Sequence, residues 1–476
     1  MRRWYGAELI IFVGRRVALK KSVKNANRAN YLQKLTIAGY KSIVKPTMIE
    51  FGALTVLAGV NSGGKSSLIQ PLLLLKQTIE ATHDPGPLKI DGPNVRFSEL
   101  QQFFSMPSVL RPRSLSFNLG FLRRAESFEF KASGRTLNLS NNTISIDGKT
   151  ITLSGGTIAF EQLVQLAPPS VQSYADEDLG PEYKALQFQI AQSRFIFSPK
   201  IDASKKKQFW HLGIVEWRRL FSHIDFYDTR MTSDWVRNLT HVPGLRGVPA
   251  RGYAVSGVGD SFPGRFEDYT ASVIKRWQDD GDARVGAVGA ALEALGLTWK
   301  VSAENIDAAT VDIKIGRLPK SAQGGAKDLV SIADVGFGVS QVMPVVVALF
   351  AAQPGQAVYI EQPEIHLHPR AQMALAGLLV DAANRDVQVI VETHSALLLT
   401  SLQTLIAQQK IAAADVKLHW VSRDASGSSV VTTAELDADG AYGDWPVDFD
   451  ETADAATTNY LNATVFKATS AKAAIK

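Results

Sequence analysis

Four short stretches hold residues whose types and spacing suit chemistry on a phosphate. Gly59 to Ser67 reads GVNSGGKSS and places Gly59, Gly64, Lys65 and Ser66 at the spacing G-x-x-x-x-G-K-[ST]. Glycines let the backbone curl until N–H groups face an anion, and the helix that follows adds the positive end of its dipole. In such a loop Lys65 reaches the β- and γ-phosphates and Ser66 ligates magnesium; Asn61, Ser62, Gly63 and Ser67 complete the stretch. The second, AVYIEQPE at Ala357 to Glu364, is an apolar strand ending in an acid, where a magnesium-holding carboxylate belongs. The third, VQVIVETHS, ends a further apolar strand at His394; a histidine there is either structural or in contact with a γ-phosphate. The fourth, DVGFGVSQVMP at Asp334 to Pro344, sets Gly336, Gly338 and Ser340 before an apolar helix. Its N-terminus suits an anion, and a plain helix start is the alternative.

These stretches need elements to hold them. Tyr31 onward alternates like a strand, MIEFGALTVLAG adds one or two more, and the phosphate loop opens an apolar helix over 66–81 with Pro71 expected to kink it. Residues 114–160 alternate with a period near 2 and carry NN and DGK turns, which predicts a β-meander. Residues 161–325 read as a mostly helical insertion, including helices at 204–224 and 266–280, with strands at 298–305 and 309–317, and residues 319–328 read as a loop. From 329 to 395 the rhythm is strand, helix, strand, helix, strand, which argues a parallel sheet covered by helices. The fold class expected is α/β, with a basic extension over 1–30, an N-terminal lobe over 31–160, a C-terminal lobe over 326–450 and a tail over 451–476.

Composition narrows the field. The chain has 476 residues, 45% hydrophobic and 20% charged, which allows a sizeable core. With no cysteine, disulfides, thiolate metal sites and cysteine nucleophiles are excluded. The longest apolar runs, Val342–Ala352 and Leu9–Gly14, fall short of the roughly 18 residues of a membrane helix, so no membrane role and a cytoplasmic location are expected. Net charge is +5, but residues 1–30 hold eight cations against Glu8 alone, leaving the remainder at −2. DNA contact through the basic arm is thus allowed, while the body offers no charge argument for it.

The four stretches together resemble an ABC-type AAA ATPase head of the SMC, RecF and OLD-nuclease kind, over roughly residues 31–100 and 325–450. Within that resemblance GFGVSQ is the signature, through Gly338, Ser340 and Gln341. VYIEQPEIHLHP runs from the magnesium acid Glu361 into a dimer-contact loop, and ETHS carries the switch histidine His394. The closing ELDADGAYGDWPVDFD resembles the D-W-P ending of a bacterial subgroup that includes Septu-like anti-phage ATPases. The resemblance implies ATP and Mg2+ as cofactors. It also implies a head-to-tail homodimer, or a larger oligomer, in which the phosphate loop of one copy and Ser340 of the other clamp each ATP.

One departure bears on rate. The family pair at the strand end is Asp-Glu; here it is Glu361-Gln362. Gln362 cannot take a proton, although it can orient a water, and Glu364 is the substitute base to consider. Slow hydrolysis and a long-lived ATP-bound dimer are expected, acting as a sensor that controls a partner effector such as a nuclease. The alternative is a RecF- or SMC-like repair ATPase acting on DNA directly. A fused nuclease is disfavoured by the roughly 80 residues after His394. Smaller readings remain: His366 and His368 as metal ligands or as loop residues, and Arg246 and Arg251 as phosphate or partner contacts or as surface arginines.

Overall fold

The structure, a computed structural model, describes residues 27–104, 114–134, 136–165, 172–173, 187–200, 230–317 and 328–443. The extension before residue 27, the helix expected at 204–224, the loop at 319–327 and the D-W-P segment and tail from 444 lie outside the described residues.

The N-terminal part runs β1 (Lys34–Ala38), β2 (Thr47–Glu50), β3 (Leu54–Gly59), α1 (Lys65–Ile79), β4 (Ser114–Gly120), β5 (Arg124–Ser133), β6 (Thr136–Ile146), β7 (Lys149–Leu153), β8 (Gly156–Ala159) and α2 (Phe160–Val164). The middle holds β9 (Gln187–Ser193), β10 (Ile196–Lys200), α3 (Arg230–Asn238), β11 (Thr240–Val242), β12 (Tyr253–Ala254), α4 (Thr270–Asp279), α5 (Arg284–Ala294), β13 (Val301–Asn305) and β14 (Thr310–Gly316). Then come β15 (Leu329–Ser331), α6 (Phe337–Ala351), β16 (Ala357–Glu361), α7 (Pro369–Asn384), β17 (Gln388–Thr393), α8 (Ala396–Ala407), β18 (Val416–Arg423) and β19 (Ser429–Ala434).

The central sheet has the order β11-β16-β17-β3-β18-β19, parallel except for β19. All six residues of β3 and all six of β17 are buried, as a parallel strand covered on both faces requires. Alternation sorts the side chains. Val56, Val358, Ile360, Val389 and Val391 pack toward α6, α7 and α8. Leu57, Tyr359 and Ile390 pack toward α1 and the antiparallel meander β2-β1-β4-β5-β6-β7. Five leucines of α1, at 68 and 72–75, are buried there, each contributing roughly 1.5–3 kcal/mol by removal of its apolar surface from water. The helix continues through Pro71.

The class expected from sequence, helices flanking a largely parallel sheet with an antiparallel meander beside it, is the class observed. The NN turn expected within the meander is not formed: Asn141 and Asn142 lie inside β6 and pair with β5, while the DGK turn does join β6 to β7. The segment 161–325 is more mixed than its reading as mainly helical. β13 and β14 lie where strands were expected; among the described residues the segment also holds four further strands, β9–β12, as well as α3–α5, and β11 is an edge strand of the central sheet. A three-residue strand carries too little periodic signal to be seen without its partner.

β18 and the β18–β19 turn form the backing of the phosphate loop. Gly59 lies at φ +143, and a Cβ there would stand 2.1 Å from the Val421 carbonyl oxygen. Gly64 lies at φ +110, with a Cβ position 2.2 Å from Ser429 Oγ. Gly59→Ala is therefore expected to destabilise the nucleotide-free protein by about 1–3 kcal/mol, the usual cost of forced overpacking. A denaturant midpoint equal to the parent's would disprove the tight backing.

Candidate functional site

The phosphate loop is pinned by its carbonyls. Arg423 Nε donates to the Ser62 carbonyl at 2.7 Å, and Ser429 Oγ donates to that of Gly63 at 2.7 Å while also meeting Ser42 Oγ at 2.7 Å. Lys65 Nζ donates to the carbonyls of Gly59 and Val60 at 3.0 and 2.9 Å and lies 3.5 Å from His394 Nδ1. Burial lowers the Lys65 pKa, against the pull of Glu392 and Glu364. Asn61 and Ser62 are exposed, with Gly64, Ser66 and Ser67 half-buried.

Alternation along β16 and β17 turns Glu361 and Glu392 to the α1 side, and the strands hold them in register. Ser66 Oγ donates to Glu392 Oε2 at 2.8 Å, and the Tyr359 hydroxyl donates to Glu392 Oε1. On the other side His241 Nε2 stands 3.1 Å from Glu361 Oε1, the Gly244 N–H donates to Glu361 Oε2 at 3.0 Å, and His241 Nδ1 is 2.9 Å from Asn94 Oδ1. The two acids diverge in charge. Burial works against Glu361, but His241, the Gly244 amide and Tyr359 hold its pKa below the usual carboxylate value. Burial, and next the charge of Glu361, push Glu392 up to about 7.

Glu364 is buried, and its Oε1 accepts from Thr393 Oγ1 at 2.8 Å and from the His394 N–H at 2.7 Å. Its Oε2 has no hydrogen-bond partner among the described residues. His394 is half-buried, and burial followed by the Lys65 charge lowers its pKa. Gln362 adopts φ +43, a strained conformation for a residue with a side chain. Its N–H donates to the Glu392 carbonyl at 2.9 Å. Lys65, Ser66, Glu361, Gln362, Glu364 and His394 thus come together at the carboxyl end of one sheet.

The α6 start is placed differently. Gly338 lies against the His366 carbonyl. Ser340 Oγ donates to the Phe337 carbonyl at 3.0 Å, and Gln341 Nε2 donates to that of Gly247 at 2.9 Å. The polar partners of Ser340 and Gln341 are therefore in α6 and the loop after β11. His368 caps α7, accepting from the Arg370 N–H at 3.4 Å, and no group of three metal-ligating side chains occurs among the described residues. Arg246 is buried inside the protein, while Arg251 forms an exposed pair with Asp334 at 2.6 Å.

An open cavity of about 500 Å³ flanks the phosphate loop. Lys41, Ser42, Arg96, Phe97 and Arg423 are among its lining. Lys41 Nζ lies over the Phe97 ring, 4.7 Å from its centroid, and burial lowers its pKa to about 8.

Residues 241–400 match the family model described as "AAA domain, putative AbiEii toxin, Type IV TA system". Over that segment the chain is thus similar to AAA-type ATPase domains. No curated protein sequence matches the chain. Among solved structures, an SMC head bound to the C-winged helix domain of ScpA is 15% identical, with a TM-score of 0.41, over 86% of this chain and 98% of that one. The SMC head domain from Thermotoga maritima is 14% identical, with a TM-score of 0.37, over 85% and 99%. A third, an SMC head with an extended coiled coil bound to the C-terminal domain of ScpA derived from Pyrococcus furiosus, is 14% identical, with a TM-score of 0.41, over 85% and 96%.

Sequence reading missed Glu392, His241 and Tyr359. Glu392 carried a usable signal, since it closes an apolar strand as Glu361 does. Its titration sets a pH dependence. The folded pKa of about 7 exceeds the unfolded value near 4.3, so the fold binds a proton that the unfolded chain releases in between. The stability this contributes is full below about pH 4.3 and is lost as pH rises through about 7. Glu392→Gln is expected to flatten that decline in melting temperature, measured without nucleotide or metal. An unchanged pH profile in the variant would refute the assignment.

Proposed function

We propose that the chain binds ATP with Mg2+, hydrolyses it slowly and self-associates head to tail on binding it. In this reading it is a sensor controlling a partner effector, such as a nuclease, in bacterial anti-phage defence. The observation that carries the nucleotide reading is the convergence of Lys65, Ser66, Glu361 and His394 around a glycine loop opening a helix. The cavity lined by Lys41, Phe97 and Arg423 suits the nucleoside end of the same ligand, offering an aromatic face and cations. The defence setting and the effector rest on the D-W-P resemblance.

The residues suit Mg2+. Ser66, Glu361 and Glu392 offer only oxygen donors, as a hard cation prefers, and too few for an all-protein cage. Such a site fits a metal that arrives with phosphates. Ser66 and Glu361 would hold it, and when bound it would neutralise charge on the phosphate oxygens. Lys65 would exchange its loop carbonyls for the phosphates. Gln362, held at the strand end, would orient a water without accepting its proton. Glu364 is engaged through one oxygen by Thr393 and His394, which braces the switch histidine and leaves Oε2 as the proton acceptor to test.

Support for association comes from the rim. Val60, Leu245, Val248, Phe337 and Leu397 are all exposed apolar residues. They sit on the loops after β3 and β11 and at the starts of α6 and α8, around the nucleotide face. Apolar side chains grouped at a functional face mark an interaction surface. In a head-to-tail pair, the α6 start with Gly338, Ser340 and Gln341 would face the ATP of the other copy.

ATP turnover by the purified chain, with Lys65→Ala as the blank, tests this. Turnover well below the typical value of about 10 per second is expected, and Gln362→Glu should raise it by about tenfold or more. Fast parental turnover, or no gain in the variant, would overturn the slow-hydrolysis reading. Strong stimulation by double-stranded DNA would favour the repair-ATPase alternative. Phe337→Asp combined with Leu245→Asp should abolish ATP-driven association in sedimentation while leaving monomer ATP binding in place. Association that survives both charges would place the interface elsewhere.

A further inference from the structure

The loop from Pro243 to Arg251 touches two parts of the molecule that the nucleotide reading assigns to two different ATP molecules. Toward the acid strand, the Gly244 N–H donates to Glu361 Oε2 at 3.0 Å. Arg246 Nη2 donates to the carbonyls of Glu361 at 2.6 Å and Gln362 at 3.1 Å. Toward α6, Arg246 Nη1 donates to the Gln341 carbonyl at 2.8 Å, and Gln341 Nε2 returns a bond to the Gly247 carbonyl at 2.9 Å. One guanidinium therefore spans the strand end and the second turn of the helix.

Its setting argues against a passive surface role. Arg246 is 7% exposed, and burial lowers its pKa to about 10 while Glu364, Glu267 and Glu361 pull the other way. A buried cation spent on three backbone carbonyls fixes geometry, because the guanidinium fork is planar and its donor directions are rigid. One of those carbonyls belongs to Gln362, whose φ of +43 needs such outside support.

We propose that Arg246 is a positioning residue that makes the Glu361–Gln362 strand end and the α6 N-terminus move as one body. Nucleotide occupancy at the acid strand of one copy is thereby transmitted to the α6 start that the same copy presents to its partner's ATP. The proposal rests on the nucleotide reading above and adds the route by which the two composite sites of a pair are coupled. A coupling of this kind needs a contiguous element that both sites bias, and the Arg246 bridge is one.

The test is hydrogen exchange, read by mass spectrometry, on the full chain with ATP and Mg2+ at a concentration below self-association. Sedimentation at higher concentration runs in parallel. In the parent, ATP should slow exchange both in the phosphate loop and in the 337–345 peptide. Arg246→Lys keeps the charge but lacks the fork. At saturating ATP, verified by protection of its phosphate loop, it should lose the 337–345 response and associate about tenfold less tightly. Arg251→Ala, which removes only the exposed pair with Asp334, should behave like the parent. An α6 response that survives in Arg246→Lys would overturn the proposal. So would a parent in which ATP protects the phosphate loop but leaves 337–345 unchanged, an outcome that needs no variant to fold. A parent with no protection at the phosphate loop would instead sink the nucleotide reading, and the coupling with it.

Discussion

Two carboxylates side by side in a buried place form the constraint around which this molecule is arranged. β16 and β17 run parallel in register, so Glu361 and Glu392 stand next to each other on one face. Two buried negative charges at that spacing are costly in a low-dielectric interior. The structure separates their roles. His241, the Gly244 amide and Tyr359 stabilise charge on Glu361, and burial keeps a proton on Glu392 to about pH 7. The result is a polar line from Asn94 through His241, Glu361, Tyr359 and Glu392 to Ser66, crossing from the edge strand to the helix of the phosphate loop.

That line ends in the first turn of α1, where the loop closes, and the loop is itself positioned from behind. The carbonyls of Ser62 and Gly63 are held by Arg423 and Ser429, while those of Gly59 and Val60 are held by Lys65. Glycine is required at 59 and 64 by positive φ and by the closeness of Val421 and Ser429. The C-terminal hairpin is thus as much a part of the phosphate site as the strand and helix that flank it in sequence.

The third support comes from the middle of the chain. β11 adds an edge to the sheet, and the loop beyond it carries Arg246 between the acid strand and α6. A segment read from sequence as an insertion between two lobes therefore supplies contacts to Glu361, the acid of the site that keeps its charge. Its tip, with Leu245 86% exposed and Val248 79% exposed, faces outward on the same rim as Phe337.

Sequence alone determined what depends on local spacing. The glycine loop, the apolar strands ending at Glu361 and Thr393, the helix following Gly336 and the meander are all short-range patterns, and period and turn chemistry expose them. Tertiary structure alone decided which residues meet. Glu392 enters the site because parallel register and two-residue alternation place it beside Glu361 and under Ser66, 326 residues earlier in the chain. His241 and Arg246 enter because a three-residue strand finds an open sheet edge. Ser340 and Gln341, chosen from sequence for an anion, hydrogen-bond within their own chain to Phe337 and Gly247. Spacing can reveal a strand or a loop, but hydrogen-bond partners are set by the packing of elements far apart in the chain.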